Sequence, residues 1–340
     1  LGFQVRQEAD LFIAGVPSWR SDIVDEACLV EEVLRIYGFD KIPVVPLDHD
    51  NAMPGLALSP AGRRRNQARR ALASRGMIEA VTYSFLSHTD GARFGAISDT
   101  MRLVNPISAD LEVMRPSLLP NLINAAARNA TRGMENTALF EVGPQFSGDR
   151  PEEQSILAAG IRTGALTARH WALLARSPDI FDTKADAMAA LQEMGVQTEN
   201  LQVTQVSTIY LHPGRAGVIH QGPKRILARF GEVHPGLVNE MGLIGPVVAF
   251  EIYLDNLAEP KDKKSTARQN LELSAYQKVE RDFAFIVDDK IAAQDVVNAV
   301  FSVDKKLITD VAIFDVYSGK NIDDGRKSLA VAVTLQPTET

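Results

Sequence analysis

The chain has 340 residues, of which 45% are hydrophobic and 23% charged, and this composition is that of an ordinary globular protein with two or three domains. Its formal net charge of −7 excludes a protein that coats nucleic acid by electrostatics alone, and no apolar run is long enough to span a bilayer. Cys28 is the only cysteine and nothing at the amino end resembles a signal peptide, so we expect no disulfide within the chain and a cytoplasmic setting.

The amino-terminal segment, residues 1–46, carries a strand pattern followed by an amphipathic helix pattern. A β-branched and aliphatic run over 11–16 predicts the strand. Ser21 or Asp22 is the candidate cap of the following helix, because both side chains can accept from free backbone amides. Residues 47–60 are rich in proline and show no periodicity, which predicts a linker.

A larger domain is predicted over residues 61–257. Ser59 and Pro60 are a capping residue and a first-turn proline, and they predict the start of an arginine-rich helix over 60–75. Strands and helices then mix without strict alternation, which favours an α+β domain built on an antiparallel sheet. The further predicted elements are helices at 117–132 and 182–194 and strands at 78–85, 138–143, 155–161, 225–230 and 247–254.

Residues 258–273 are charged and weakly apolar, which predicts a second linker before a domain at 274–340. The final domain is predicted to contain a strand at 281–287, a helix at 292–301 and strands at 308–317 and 327–335. That order is the first part of a ferredoxin-like β-α-β-β-α-β fold. Because the chain starts with Leu1 and stops before the last helix and strand, we expect a fragment of a longer polypeptide, truncated in its last domain.

Local motifs for catalysis are missing from the sequence. It contains no glycine-rich phosphate loop, no G-x-S-x-G turn and no H-E-x-x-H helix, and its six histidines never fall at metal-ligand spacing. We therefore predict no catalytic residue in this chain. The stretch 63–75 holds six arginines and no acid, which is typical either of a solvated helix face or of a surface for RNA or an acidic partner.

Several stretches together resemble one family. The runs Pro17-Ser18-Trp19-Arg20-Ser21-Asp22 and Arg35-Ile36-Tyr37-Gly38-Phe39-Asp40 are similar to a module in the beta subunit of bacterial phenylalanine–tRNA ligase. The resemblance covers nearly the whole chain and is strongest at 17–43, 114–146 and 279–320. It implies the end of a small winged-helix-like module at 1–46, a class II synthetase-like non-catalytic domain at 61–257 and an anticodon-binding domain at 274–340. The family's amino-terminal and editing domains would lie upstream.

The resemblance implies a Mg²⁺ ion near Asp22, Glu31 and Glu32. Cys28 stands where the family pattern has another acid, and a thiol is a poor magnesium ligand. The other interpretation of these residues, which we favour, makes Asp22 a helix cap and the two glutamates solvated.

In a working class II enzyme an arginine and an acid near the central strands hold ATP, and the matching residues are Arg115 and Glu141. No glycine-rich, arginine-ending motif follows the strand at 249–255. We therefore predict that Arg115 and Glu141 form a structural ion pair or act as caps, and that ATP binds only in the complete enzyme. The family then implies pairing with a catalytic alpha subunit in an α2β2 assembly. The predicted interface arginines on the first helix of this domain are Arg63, Arg64, Arg69 and Arg70.

The last domain resembles the family's anticodon-binding domain, with Arg281 and Tyr317 as the candidate tRNA contacts. Phe283 and Phe285 share a strand face and either stack on unpaired bases or, as we favour, pack under the helix. The implied function is support of ATP-dependent attachment of phenylalanine to its tRNA, through the alpha subunit and tRNA, with no membrane or DNA partner. Two alternatives are a self-sufficient class II ligase and a non-enzymatic RNA-binding or scaffold protein made from the same modules.

Overall fold

The computed structural model describes residues 1–45, 57–167, 169–258 and 274–337, and the side chain of Asn200 is outside the description. The predicted linkers at 47–60 and 258–273 lie largely outside the described residues. The chain divides into two compact units, Leu1–Ala57 and Leu58–Thr340. The predicted domain boundaries at 46, 60, 257 and 273 stay a prediction.

The first unit consists of an antiparallel hairpin and one helix. Strand β1 (Gln4–Glu8) pairs with β2 (Leu11–Gly15), and helix α1 covers Glu26–Tyr37. The prediction of the helix cap was wrong, because Asp25 and not Ser21 or Asp22 accepts the first free amide, that of Cys28, at 3.1 Å. The carboxylate of Asp22 is instead held by a neighbouring arginine, so the helix starts one turn later than predicted.

The second unit contains a seven-stranded sheet with helices on both faces. Its helices and strands are α2 (Pro60–Ser74), β3 (Ile78–Glu79), β4 (Phe85–Leu86), α3 (His88–Ala92), β5 (Val113–Met114), α4 (Leu119–Ala130), β6 (Thr137–Phe146), β7 (Gln154–Thr163), α5 (Ile180–Glu193), β8 (Gln202–Gln205), β9 (Leu211–Gln221), β10 (Arg225–Val233), α6 (Pro235–Glu240) and β11 (Val247–Tyr253). The strand order is β3-β6-β7-β11-β10-β9-β8, and every neighbouring pair is antiparallel except β3 and β6.

Two apolar clusters fill the faces of this sheet. Helices α2 and α5 cover one face, where Leu72 and Leu191 pack with Phe140 and Phe250. Helix α4 covers the other face, and it buries Leu122 and Ile123 among residues of β6, β7 and β11. The predicted α+β class is therefore confirmed. The cap of α2 is also confirmed, since Ser59 Oγ accepts from the amide of Gly62 at 3.1 Å.

Three local predictions in this unit were wrong. The predicted strand at 78–85 is broken, because Ile78–Glu79 pairs with β6 whereas Phe85–Leu86 pairs with β5. Helix α5 is capped by Asp179, whose side chain accepts from two backbone amides, so it begins at Ile180 and not at residue 182. Strand β9 was not predicted, because its polar and glycine-containing first half hides the strand period.

The second unit also contains a separate three-stranded sheet. Strand β12 (Val279–Asp288), helix α7 (Ala293–Val303), β13 (Ile308–Tyr317) and β14 (Arg326–Leu335) confirm the predicted β-α-β-β order. The strand order is β12-β14-β13, all antiparallel, and α7 packs over β13 and β14. Across the described part of the chain, each helix is too short or too polar to cross a membrane.

Candidate functional site

The centre of the seven-stranded sheet holds a buried polar network. Arg115, just after β5, donates through Nη2 to Glu141 Oε1 at 2.9 Å, and both side chains are at most 5% exposed. The Arg115 Nε donates to the carbonyl of Pro144 at 2.8 Å, and Nη1 donates to Thr82 Oγ1 at 2.9 Å. Thr82 in turn donates to Glu141 Oε2 at 2.6 Å. The predicted ion pair is therefore confirmed, and it satisfies every oxygen of the carboxylate.

A second buried acid lies in the same row of the sheet. Glu141 and Glu251 both face Ala159 across β7, so the two carboxylates share the face covered by α4. Glu251 accepts from Ser117 Oγ at 2.6 Å and from the Tyr210 hydroxyl at 2.7 Å. Burial, and then the Glu251 carboxylate, raise the pKa of Tyr210, so this hydroxyl remains a donor.

The backbone closes tightly around this network. A Cβ placed on Gly143 would lie 2.7 Å from Arg115 Nη2, which is closer than real contacts allow. Arg115 and Glu141 are thus bonded to each other and leave little room at this point of the sheet. Chemically, the arrangement neutralises buried charge and fixes the strands.

The acids of the amino-terminal unit surround an arginine. Arg20 binds Asp22 at 2.7 Å and Glu32 at 2.8 Å, and Arg35 also binds Glu32 at 2.8 Å. Hydrogen bonds from Arg20 and then Arg35 lower the pKa of Glu32 to about 2, and Arg20 lowers the pKa of Asp22. Glu31 is exposed and lies outside these contacts, so the structure brings together only two of the three predicted metal ligands.

These residues do not fit a magnesium ion. Mg²⁺ needs hard oxygen donors in near-octahedral geometry, whereas the oxygens of Asp22 and Glu32 already accept from guanidinium groups. Cys28, half-buried on α1, supplies sulfur at the family's acidic position. Among the described residues, no group of three or more His, Cys, Asp or Glu side chains is arranged to hold a metal.

The predicted interface arginines of α2 divide into two pairs. Arg64 donates to the carbonyls of Leu257 and Ala258 at 3.1 and 2.5 Å, and Arg69 binds Glu79 at 2.7 Å. These two side chains therefore stabilise the domain itself. Arg63 and Arg70 are exposed and have no ion-pair partner among the described residues.

An exposed apolar row lies beside α2, at the β3 edge of the sheet. Ile78, Val81 and Tyr83 are 68%, 89% and 68% exposed. Single exposed apolar residues are ordinary, but three in one short extended segment at a sheet edge indicate a contact surface. In the sequence, the β-branched and aromatic run at 78–85 indicated a strand here. It could not show which of its side chains are exposed.

The two predicted tRNA contacts lie on opposite faces of the three-stranded sheet. Arg281 is directly opposite Val333, whose side chain is buried on the face under α7, whereas Tyr317 is opposite Ser328 on the other face. Their partners are five residues apart on β14, about 17 Å along the strand. The structure therefore does not bring Arg281 and Tyr317 together.

The face under α7 also carries the two phenylalanines. Phe283 and Phe285 stack on each other with centroids 6.2 Å apart, and they are 48% and 38% exposed. The prediction that they pack under the helix was wrong in part: they lie on the helix face, but α7 covers β13 and β14 and leaves β12 open. The opposite face carries Tyr317 and several carboxylates. Asp315 is two residues from Tyr317 on β13, whereas Glu280 and Asp310 lie opposite Thr334, about 20 Å along β14 from the partner of Tyr317.

Comparisons with known proteins agree with this architecture. Residues 47–254 match the family model described as phenylalanyl tRNA synthetase beta chain CLM domain. Residues 274–340 match the ferredoxin-fold anticodon binding domain, and residues 1–39 match the tRNA synthetase B5 domain.

Similar proteins carry the same family name. The phenylalanine–tRNA ligase beta subunit of Paramagnetospirillum magneticum is 48% identical over 339 residues, which cover 100% of this chain and 42% of that protein. The corresponding subunit of Rhodospirillum rubrum is 50% identical over 323 residues, covering 95% and 40%. A solved pyrrolysyl tRNA synthetase from Desulfitobacterium hafniense has a TM-score of 0.43 at 16% identity, covering 57% of this chain and 66% of that one.

The chain spans about two fifths of the length of these curated relatives. Because the first family model covers more than half of its residues, the chain belongs to the phenylalanyl tRNA synthetase beta chain family.

Proposed function

We propose that this chain is a supporting part of phenylalanine–tRNA ligase, which attaches phenylalanine to tRNA in an ATP-dependent reaction. The observation that carries the proposal is the filled centre of the class II-like sheet, where Arg115 and Glu141 bind each other. A site closed by its own buried ion pair leaves amino-acid activation and ATP binding to a partner chain. The single cysteine and the translation role together favour a cytoplasmic setting.

The partner that fits this role is the catalytic alpha subunit, in an α2β2 assembly. Its proposed docking surface combines the apolar row Ile78, Val81 and Tyr83 with the exposed Arg63 and Arg70 of α2. The apolar row would supply the buried contact area, and the arginines would speed encounter and fix orientation.

The second proposed partner is the phenylalanine tRNA, bound by the three-stranded sheet. Arg281 and Tyr317 remain the proposed contacts, but they serve separate surfaces because they point to opposite faces. Arg281 lies beside the stacked Phe283 and Phe285. The guanidinium could bind a tRNA phosphate while an unpaired base stacks on the phenylalanine rings. Magnesium in the complete enzyme would be held outside the acids of the amino-terminal unit, which do not fit it.

The test is co-expression of this chain with a tagged alpha subunit. We expect the two chains to co-purify. The double variant Arg63→Glu with Arg70→Glu should reduce the amount of this chain that is recovered with the alpha subunit, and it should slow the salt-sensitive association of the two chains. Arg132→Glu is the matched control, because Arg132 is equally exposed but lies after α4 on the other face of the sheet. The chain alone should show no ATP–pyrophosphate exchange.

Two results would replace this proposal with one of its rivals. Exchange activity in the isolated chain would identify a self-sufficient ligase. Failure to capture the alpha subunit, with binding to RNA retained, would favour a non-enzymatic RNA-binding or scaffold protein.

A further inference from the structure

The amino-terminal unit has little apolar core in its described elements. No residue of β1, β2 or α1 is buried, and the large apolar residues Phe12, Val30 and Val33 are exposed. Polar links between distant segments therefore contribute to how the helix is held against the hairpin.

Arg20 forms most of these links. Its Nε and Nη2 donate to the two oxygens of Asp22 at 3.0 and 2.7 Å, the two-pronged geometry that only a guanidinium offers. Its Nη1 and Nη2 reach the two oxygens of Glu32, twelve residues later on α1, at 3.3 and 2.8 Å. The guanidinium also lies 5.8 Å from the centre of the Phe3 ring, before β1. One side chain therefore joins the start of the unit, the connection after β2 and the middle of α1.

The charges around Arg20 are balanced without a metal. Two guanidinium groups, Arg20 and Arg35, face two carboxylates, Asp22 and Glu32. A magnesium ion at this point would add two uncompensated positive charges beside the arginines and would have to displace their hydrogen bonds.

We propose that Arg20, by binding Asp22 and Glu32, holds this unit without the divalent cation that the family resemblance implies. Arg20 belongs to the run that is similar to the family, so the difference lies at Cys28, whose thiol offers no hard ligand where the family pattern has an acid. The inference concerns only this unit and does not rest on the proposed function.

The experiment uses the full chain with Trp171→Phe, so that Trp19 is the only tryptophan and reports on the amino-terminal unit. Thermal unfolding is followed by Trp19 fluorescence with magnesium chloride or with chelator, and magnesium binding is measured by calorimetry. We expect the same unfolding midpoint in both solutions and no saturable heat. Arg20→Gln should lower the midpoint, Arg20→Lys should lower it less, and Arg6→Gln, which removes only an exposed pair with Glu8, should leave it unchanged.

A variant that restores the acid tests the assignment to Cys28. Cys28→Asp should gain a saturable magnesium heat and a midpoint that rises with magnesium.

Three outcomes would overturn the inference. One is a saturable magnesium heat in the parent chain that Asp22→Asn removes. Another is an unchanged unfolding midpoint in Arg20→Gln, which would make Arg20 irrelevant to how the unit is held. The last is a folded Cys28→Asp variant that does not respond to magnesium.

Discussion

Replacing Arg115 by methionine should destabilise the class II-like domain more than any single surface change. The substitution keeps a long apolar stem but removes the guanidinium that binds Glu141 and the Pro144 carbonyl. Glu141 would then remain buried as a carboxylate with Thr82 as its one donor. Because both partners are at most 5% exposed, solvent cannot compensate, and removal of one member of such a pair costs about 3–5 kcal/mol.

Removing both charges should cost less than removing one. In Arg115→Met with Glu141→Leu no carboxylate is stranded, and the remaining penalty comes from the Thr82 hydroxyl and the Pro144 carbonyl. The Pro144 carbonyl loses its donor in both variants, so the two differ in what else loses its partner: the Glu141 carboxylate in Arg115→Met, or the neutral Thr82 hydroxyl in the double variant. An unsatisfied neutral group costs about 1–3 kcal/mol and a charged group more, so the double variant should be more stable than Arg115→Met alone. A double-mutant cycle measures this difference directly.

The assay is hydrogen–deuterium exchange of the peptides that cover β6 and β7. A loss of about 3–5 kcal/mol corresponds to exchange that is faster by more than about 100-fold, since about 1.4 kcal/mol is tenfold. Arg132→Met serves as the control, because this exposed arginine has no partner among the described residues. An acceleration below tenfold in Arg115→Met, or a double variant less stable than both single variants, would refute the stabilising role assigned to this pair.

Three smaller predictions follow from the same geometry. Gly143→Ala places a methyl group 2.7 Å from Arg115 Nη2 and should lower the free energy of unfolding by about 1–3 kcal/mol, measured by chemical denaturation. No loss of stability would mean that the network can shift to accept the methyl group. Arg20 and Arg35 hold the pKa of Glu32 to about 2, below its value of about 4.3 in unfolded chains. Their ion pairs with Glu32 therefore stabilise the folded amino-terminal unit fully above about pH 4.3, and this stabilisation is lost as the pH falls toward about 2. Carbon NMR should show this low titration midpoint, and Arg20→Gln should raise it. Asp179→Ala removes the cap of α5 and should cost about 1 kcal/mol by thermal unfolding.

The sequence predicted those parts of the fold that short-range chemistry decides. Ser59 and Pro60 mark the start of α2 because capping needs only the next turn of the same helix. The strands at 308–317 and 326–335 were recognisable because their β-branched residues alternate over a full strand length.

Positions that depend on partners far along the chain could not be predicted. Arg64 and Arg63 are neighbours in the same arginine run, yet one binds carbonyls 193 and 194 residues away and the other faces solvent. Similarly, a bulge between Ile313 and Asp315 shifts the register of β13, which puts Tyr317 on the face opposite Arg281. Counting alternate residues along one strand cannot reveal such a shift.

The two faces of the seven-stranded sheet are each fixed by a buried carboxylate, and this bears on how rigidly the sheet holds the elements at its edge. On one face Arg115 binds Glu141, and on the other Arg75 and Arg162 both bind the fully buried Asp186 of α5. Buried ion pairs add little stability over apolar residues, but their fixed geometry penalises any shift of the elements they join. Arg162 lies on β7 and Arg75 at the end of α2, so the second cluster ties the helix that carries the proposed interface to the centre of the sheet. A ligand that used Arg115 or Glu141 would have to break this ion pair, and that would loosen the same framework. The two buried clusters therefore favour a rigid edge at α2 and β3, and a rigid edge is what the proposed docking surface needs.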